Sequence, residues 1–253
     1  MQIMNTLGFF GDSFCSTKSV SFFSTKKYDT YISKLEKQYD AQIVNMGHGG
    51  SSAWDTLLLQ LMPFLKNKKF PDICIFVWTN SGRLFNRNIR NINHASALDK
   101  QSLLQRKKTK DIWSAANQYY THLCDPEKDS IEYIALLQYI DNNILPTFPS
   151  TTKVIHLWAF GDADDWSTEG FHPNNAKYSY RWTRGMEIRP HLTSISLINS
   201  SLNDFINSHV PNHLEGEFKN SLVFKFISDA IDNYKDGKLL DMTQNVSGYW
   251  KCK

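Results

Sequence analysis

Between Asp72 and Trp78 the chain reads Ile-Cys-Ile-Phe-Val-Trp, with no polar residue among the six that follow Asp72. A run this short, rich in β-branched and aromatic side chains, favours a strand. A strand that is apolar at every position must be covered on both faces, which happens when helices flank a parallel sheet. The preceding segments fit that frame. Thr6 to Phe10 is a short apolar run closed by Gly11 and Asp12. Ala41 to Met46 is another, closed by Gly47-His48-Gly49-Gly50-Ser51-Ser52. Between these two, Tyr28 to Tyr39 carries Tyr31, Ile32, Leu35 and Tyr39 at helical spacing. Trp54 to Leu65, with Pro63 near its end, reads as a helix leading to the third strand. Strand, helix, strand, helix, strand implies right-handed crossovers and a parallel sheet.

The remainder continues the theme less regularly. Asn86 to Asn93, rich in Asn and Arg, reads as a loop, and Asp111 to Leu123 and Ser130 to Leu145 read as helices. Thr152 to Trp158 reads as a fourth strand. Gly161 to Pro190 is polar and aromatic without clear periodicity, which suggests an insertion or lid over the carboxyl ends of the strands. Leu214 to Tyr234 is expected to close the domain as a helix, its apolar stripe at Leu214, Phe218, Leu222, Phe226, Ala230 and Tyr234. The expected fold is α/β, a three-layer sandwich around a central parallel sheet of about five strands, flavodoxin-like in order. One domain is expected over 1–235, with insertions at about 86–130 and 161–200 and a tail over 236–253.

Composition narrows the function classes. With 253 residues, 41% hydrophobic and 13% aromatic, the chain can close a core and is not a disordered segment. A formal net charge of +3 is too small to argue for nucleic acid. The one dense basic run, Arg106-Lys107-Lys108-Thr109-Lys110, lacks interleaved aromatics and reads as a solvated loop or helix end. No apolar stretch approaches the roughly 18 residues of a membrane span. Cys15, Cys74, Cys124 and Cys252 form no C-x-x-C pair and read as reduced thiols, so a cytoplasmic setting is expected. Asp162, Asp164 and Asp165 lack the glycine and distal glutamate of a calcium loop, and no metal site is expected.

In an open parallel sheet, ligands bind beyond the carboxyl ends of the strands. Three polar loops leave those ends here: Gly11-Asp12-Ser13, Asn45 to Ser52, and Thr79-Asn80-Ser81-Gly82. They share one crevice if the first three strands are neighbours. The first loop offers a serine. The N–H of Gly50 and the side-chain amide of Asn80 could donate to an oxyanion, while a base must come from elsewhere.

These residues resemble the SGNH (GDSL-like) hydrolases. Phe10-Gly11-Asp12-Ser13-Phe14 is similar to the family's first block, which makes Ser13 the nucleophile. Asn45-Met46-Gly47-His48-Gly49-Gly50-Ser51 is similar to the second, in which Gly50 gives an oxyanion N–H. Val77-Trp78-Thr79-Asn80 stands where the third block supplies its asparagine, although the usual Gly-x-Asn-Asp reads Trp78-Thr79-Asn80-Ser81 here. The family's base lies in a late D-x-x-H motif before the C-terminal helix, and two histidines compete for that place. His213 stands directly before the closing helix, but Val210 occupies the position of the Asp. His172, in Glu169-Gly170-Phe171-His172-Pro173, matches the local pattern better but lies far from the end. Position relative to the closing helix favours His213, oriented by a backbone carbonyl or by an acid such as Asp204.

The resemblance implies a serine esterase or O-deacylase acting through an acyl-enzyme on a small-molecule or carbohydrate ester, with no metal or organic cofactor. Asp12, Gly47, His48 and His172 are expected around the substrate, with His48 lining the pocket and taking no chemical role. The alternative is a non-catalytic binding or virion assembly protein on the same fold. A third reading is a flavodoxin-like binder of a phosphorylated ligand.

Overall fold

The computed structural model describes residues 6–16, 29–79, 82–90, 92–93, 97, 109–158, 194–196 and 217–232. Its sheet contains β1 (Thr6–Gly11), β2 (Gln42–Asn45), β3 (Ile73–Trp78), β4 (Lys153–Trp158) and β5 (Ser194–Ser196). Their order is β2-β1-β3-β4-β5, and every pairing is parallel. This is the doubly wound, flavodoxin-like order. Phe9 lies opposite both Asn45 and Ile75, and Gly11 opposite Val77. The carboxyl ends of β2, β1 and β3 therefore lie side by side, and their three loops leave one edge of the sheet.

Helices cover both faces, giving three layers. The helices include α1 (Tyr31–Tyr39); α2, made of Ala53–Asp55, Thr56–Leu61 and Met62–Asn67; α3 (Lys110–Gln118); α4 (Pro126–Tyr139); and α5 (Glu217–Asp232). Of these, α1 and α5 cover one face and α2 and α4 the other, while α3 packs through Trp113 and Ala116 on Ile89 and Ile92. The strict alternation of a strand sorts β3 between the layers. Ile73, Ile75 and Val77 pack with Tyr31, Ile32 and Leu35 of α1 and with Val223, Ile227 and Ile231 of α5. Cys74, Phe76 and Trp78 pack with Leu57 and Leu61 of α2 and with Tyr133, Leu136 and Leu137 of α4. On that side Phe10, Phe76 and Trp78 stack at ring separations of 5.1 and 5.4 Å. Each buried large side chain contributes roughly 2 kcal/mol by leaving water. The apolar run with which the sequence is most emphatic is thus the hinge of both cores.

Local chemistry sets the helix ends. The Thr30 hydroxyl caps α1 by accepting the Ser33 N–H at 3.2 Å, and Asp40 ends the helix in the left-handed region at φ 45°. Asn220 of α5, fully buried, accepts the Tyr31 N–H at 2.9 Å and so ties the two helices together.

One expectation needs correction. The helix drawn from Trp54 to Leu65 starts at Ala53 and is π-helical over Thr56–Leu61, where the Met62 N–H reaches Leu57 O. Pro63 follows directly and has no N–H to continue an ordinary ladder. On α5 the buried face carries Asn220, Val223, Ile227, Ala230 and Ile231, among them Ala230 of the expected stripe. Gly161 to Pro190 and the tail lie outside the described residues. Among the described residues no helix is long and apolar enough to cross a membrane.

Candidate active site

The first loop turns sharply out of β1. Gly11 adopts φ +137°, and a Cβ there would lie 2.1 Å from Val77 O of the neighbouring strand. Only glycine fits, both for its backbone conformation and for its closeness to β3. The next residue, Asp12, is fully buried. Its Oδ1 accepts the Phe14 N–H at 3.0 Å, and its Oδ2 faces Nη1 of Arg83 at 3.3 Å. That carboxylate holds the turn from below. Ser13, at the turn, is 7% exposed. Among the described residues its hydroxyl and its N–H are committed to no partner.

The second loop packs directly on the first. The His48 N–H donates to Gly11 O at 3.1 Å. Gly47 lies so close to the first loop that a Cβ there would meet Cys15 Sγ at 2.6 Å. This glycine is thus a packing contact between the loops. Gly50, at φ +78°, turns the chain back, and its N–H has no partner among the described residues. Ser52 then caps α2 by accepting the Asp55 N–H at 3.2 Å. Cys15, two residues from Ser13, is no rival nucleophile. Burial pushes its thiol well above the ordinary range, and the Sγ–H donates to Asp12 O at 3.3 Å.

The third loop is pinned by two phenols. The Tyr133 hydroxyl donates to Thr79 O and that of Tyr120 to Gly82 O, each at 2.6 Å. Burial holds both phenols protonated and able to donate. Asn80 itself lies outside the described residues, as do His172 and His213.

Beneath the loops lies a polar network that sequence reading missed. The Gln60 amide clasps Gly11 like a paired strand, accepting its N–H at 2.7 Å and donating to its carbonyl at 2.9 Å. The same Nε2 reaches Asp55 Oδ2 at 2.8 Å. Ser51 Oγ lies 2.7 Å from that oxygen and 2.8 Å from His48 O. Arg90 closes on Asp55 through two bonds, Nε to Oδ1 at 2.5 Å and Nη2 to Oδ2 at 2.7 Å. Burial alone would raise the Asp55 carboxyl, but hydrogen bonds from Arg90, Ser51 and Gln60 outweigh it and hold the carboxyl below the ordinary range. Both arginines come from the segment after β3, which folds back through a Leu84–Ile92 bridge. One signal was available: Gln60 is a lone amide inside Leu57-Leu58-Leu59-Gln60-Leu61.

Beside the loops opens a cleft of about 310 Å³. Trp54, Arg83, Tyr119, Asp129, Glu132 and Tyr133 contribute to its walls. Trp54 is 46% exposed, and Arg83 connects the cleft to Asp12 and, at 3.2 Å, to Ser51 O. No group of three or more His, Cys, Asp or Glu among the described residues could hold a metal ion.

No family model matches the chain, and no curated protein matches it. Solved structures do. A carbohydrate esterase whose active site displays divergent catalytic and non-catalytic binding functions superposes with a TM-score of 0.52 at 11% identity, covering 93% of this chain and 70% of that one. A family two carbohydrate esterase from Clostridium thermocellum, in complex with cellohexaose, gives 0.49 at 12% identity, covering 92% and 65%. An acetyl xylan esterase from Butyrivibrio proteoclasticus gives 0.49 at 11%, covering 99% and 66%. The chain thus spans about two thirds of the length of these proteins. At such identities the likeness concerns the fold alone, and the three-layer α/β fold is shared with the carbohydrate esterase matched at 0.52.

Proposed function

We propose that the protein is a serine ester hydrolase of the SGNH type, with Ser13 as nucleophile. One observation carries the proposal. Two loops from adjacent strands are packed together at the carboxyl edge of the sheet, and among the described residues the Ser13 hydroxyl, the Ser13 N–H and the Gly50 N–H have no partner there. Acyl transfer needs such a nucleophile beside donors aimed at a developing oxyanion. In the proposed reaction Ser13 Oγ attacks the ester carbonyl while His213 takes its proton. The oxyanion is held by the Ser13 and Gly50 N–H groups and by the Asn80 amide. His213 then protonates the leaving alkoxide, and water releases the acyl group. The proposed domain is 1–235.

The proposed substrate is a small acyl group on a carbohydrate. The half-exposed Trp54 offers a flat apolar face for a sugar ring, and Asp129 and Glu132 offer acceptors for hydroxyls. The carbohydrate esterase that superposes with a TM-score of 0.52 supports this choice. A second reading, a non-catalytic binding protein on the same scaffold, is favoured by Val210 in place of an acid before His213 and by Ser81 in the third block.

Labelling with a fluorophosphonate probe and peptide mapping separates the two. Modification at Ser13 that is lost in Ser13→Ala and His213→Ala supports the hydrolase with His213 as base. Loss in His172→Ala, with His213→Ala unaffected, transfers the base to His172. Folded protein that takes no label at all refutes the hydrolase.

A further inference from the structure

We propose that Asp55 is a positioning residue for acyl transfer, with Arg90 as its counter-ion. This rests on the hydrolase reading, but its structural part can be judged without turnover. The Asp55 carboxylate bonds the second loop directly at Ser51, the residue after Gly50, and through Gln60 it reaches both backbone groups of Gly11, two residues before Ser13.

Proton accounting shows why a carboxylate is required. Gln60 Nε2 has two protons, and its two shortest contacts are Gly11 O at 2.9 Å and Asp55 Oδ2 at 2.8 Å, with Ser51 Oγ further away at 3.2 Å. The Ser51 hydroxyl has one proton, drawn to the charged oxygen. Asp55 Oδ2 therefore accepts from Ser51, Gln60 and Arg90 at once, a load that only an ionised carboxylate carries. With Oδ2 fixed as acceptor, the Gln60 amide has one orientation, its Oε1 toward the Gly11 N–H. An amide at position 55 would offer a donor to Gln60 Nε2 or to Arg90, and the clasp on Gly11 would loosen. Arg90 fixes the carboxylate in turn, because its two parallel bonds define the plane of the group. The side chain of Asp55 is fully buried, so water cannot replace a lost partner. A displacement of about 1 Å between nucleophile and oxyanion donors costs on the order of 10²-fold in rate, and Asp55 sits where such a displacement would be controlled.

The test uses the full-length protein with p-nitrophenyl acetate and the fluorophosphonate probe. Asp55→Asn is expected to lower kcat by about 10- to 100-fold with KM within about twofold, and to slow labelling in proportion. Arg90→Lys, which keeps the charge but not the paired bonds, is expected to fall between wild type and Arg90→Ala. Amide exchange followed by NMR is expected to accelerate at Gly11 and Ser51 in Asp55→Asn, with the β3 amides unchanged. Unaltered kcat and labelling in folded Asp55→Asn overturns the proposal. Should Asp55→Asn fail to fold, Ser51→Ala carries the same test, since it cuts one of the two links. If wild type neither turns over nor labels, the hydrolase reading has failed. The positioning claim then stands on faster exchange confined to Gly11 and Ser51, and falls if exchange is unchanged or faster throughout.

Discussion

At Gly11 two demands meet: a positive φ and a carbonyl from β3 in the space a side chain would fill. Neither can relax without moving the centre of the sheet, because Gly11 is paired with Val77 there. Gly11→Ala is therefore expected to destabilise the protein by at least about 3 kcal/mol, read as a shift in urea midpoint. A variant as stable as wild type would show that the turn is not built this way. Trp54 acts at the same scale but on the substrate. Trp54→Ala is expected to raise KM for an acetylated sugar about tenfold while leaving kcat close to wild type, since a half-exposed ring face supplies binding and not chemistry. Equal KM values would remove the stacking role.

At the scale of elements, the loop after β3 depends on helices that are distant in sequence. Tyr120 and Tyr133 hold its two flanks by hydroxyl-to-carbonyl bonds. Each phenylalanine variant removes one such bond, at about 1 kcal/mol of stability. The double variant Tyr120→Phe/Tyr133→Phe is also expected to lower kcat, because the loop between these anchors carries Asn80. Steady-state kinetics beside a thermal melt distinguish the two effects. A similar dependence joins α1 to α5 through Asn220. Asn220→Ala leaves the Tyr31 N–H buried without its acceptor and is expected to cost about 1 to 3 kcal/mol.

For the whole molecule, the buried ion pair links stability to pH. The Asp55 carboxyl is held below the ordinary range in the folded protein, against about 4 when unfolded. A group with a depressed folded pKa contributes stability that is fully present above the unfolded value and is lost as pH falls through the folded one. The urea midpoint of wild type is therefore expected to decline from about pH 5 downward, and that of Asp55→Asn to decline less steeply. Parallel slopes would show that the pair does not contribute.

The fold was legible in the sequence because its signals are local. The apolar run ending at Trp78 demanded two covered faces, and the glycines after β1 and β2 marked where the chain must turn, so the parallel sheet and the first two loops followed. The partners of Asp12, Gly11 and Asp55 were not legible. They lie 71, 49 and 35 residues away, in Arg83, Gln60 and Arg90. Nothing in a residue's neighbours along the chain states which distant charge it will meet. The sequence by itself determined which segments become strands and where the reactive loops leave them, because side-chain alternation and backbone sterics act between near neighbours. Tertiary structure alone decided which buried carboxylate meets which arginine, because desolvated charges are paired only by the closing of the layers.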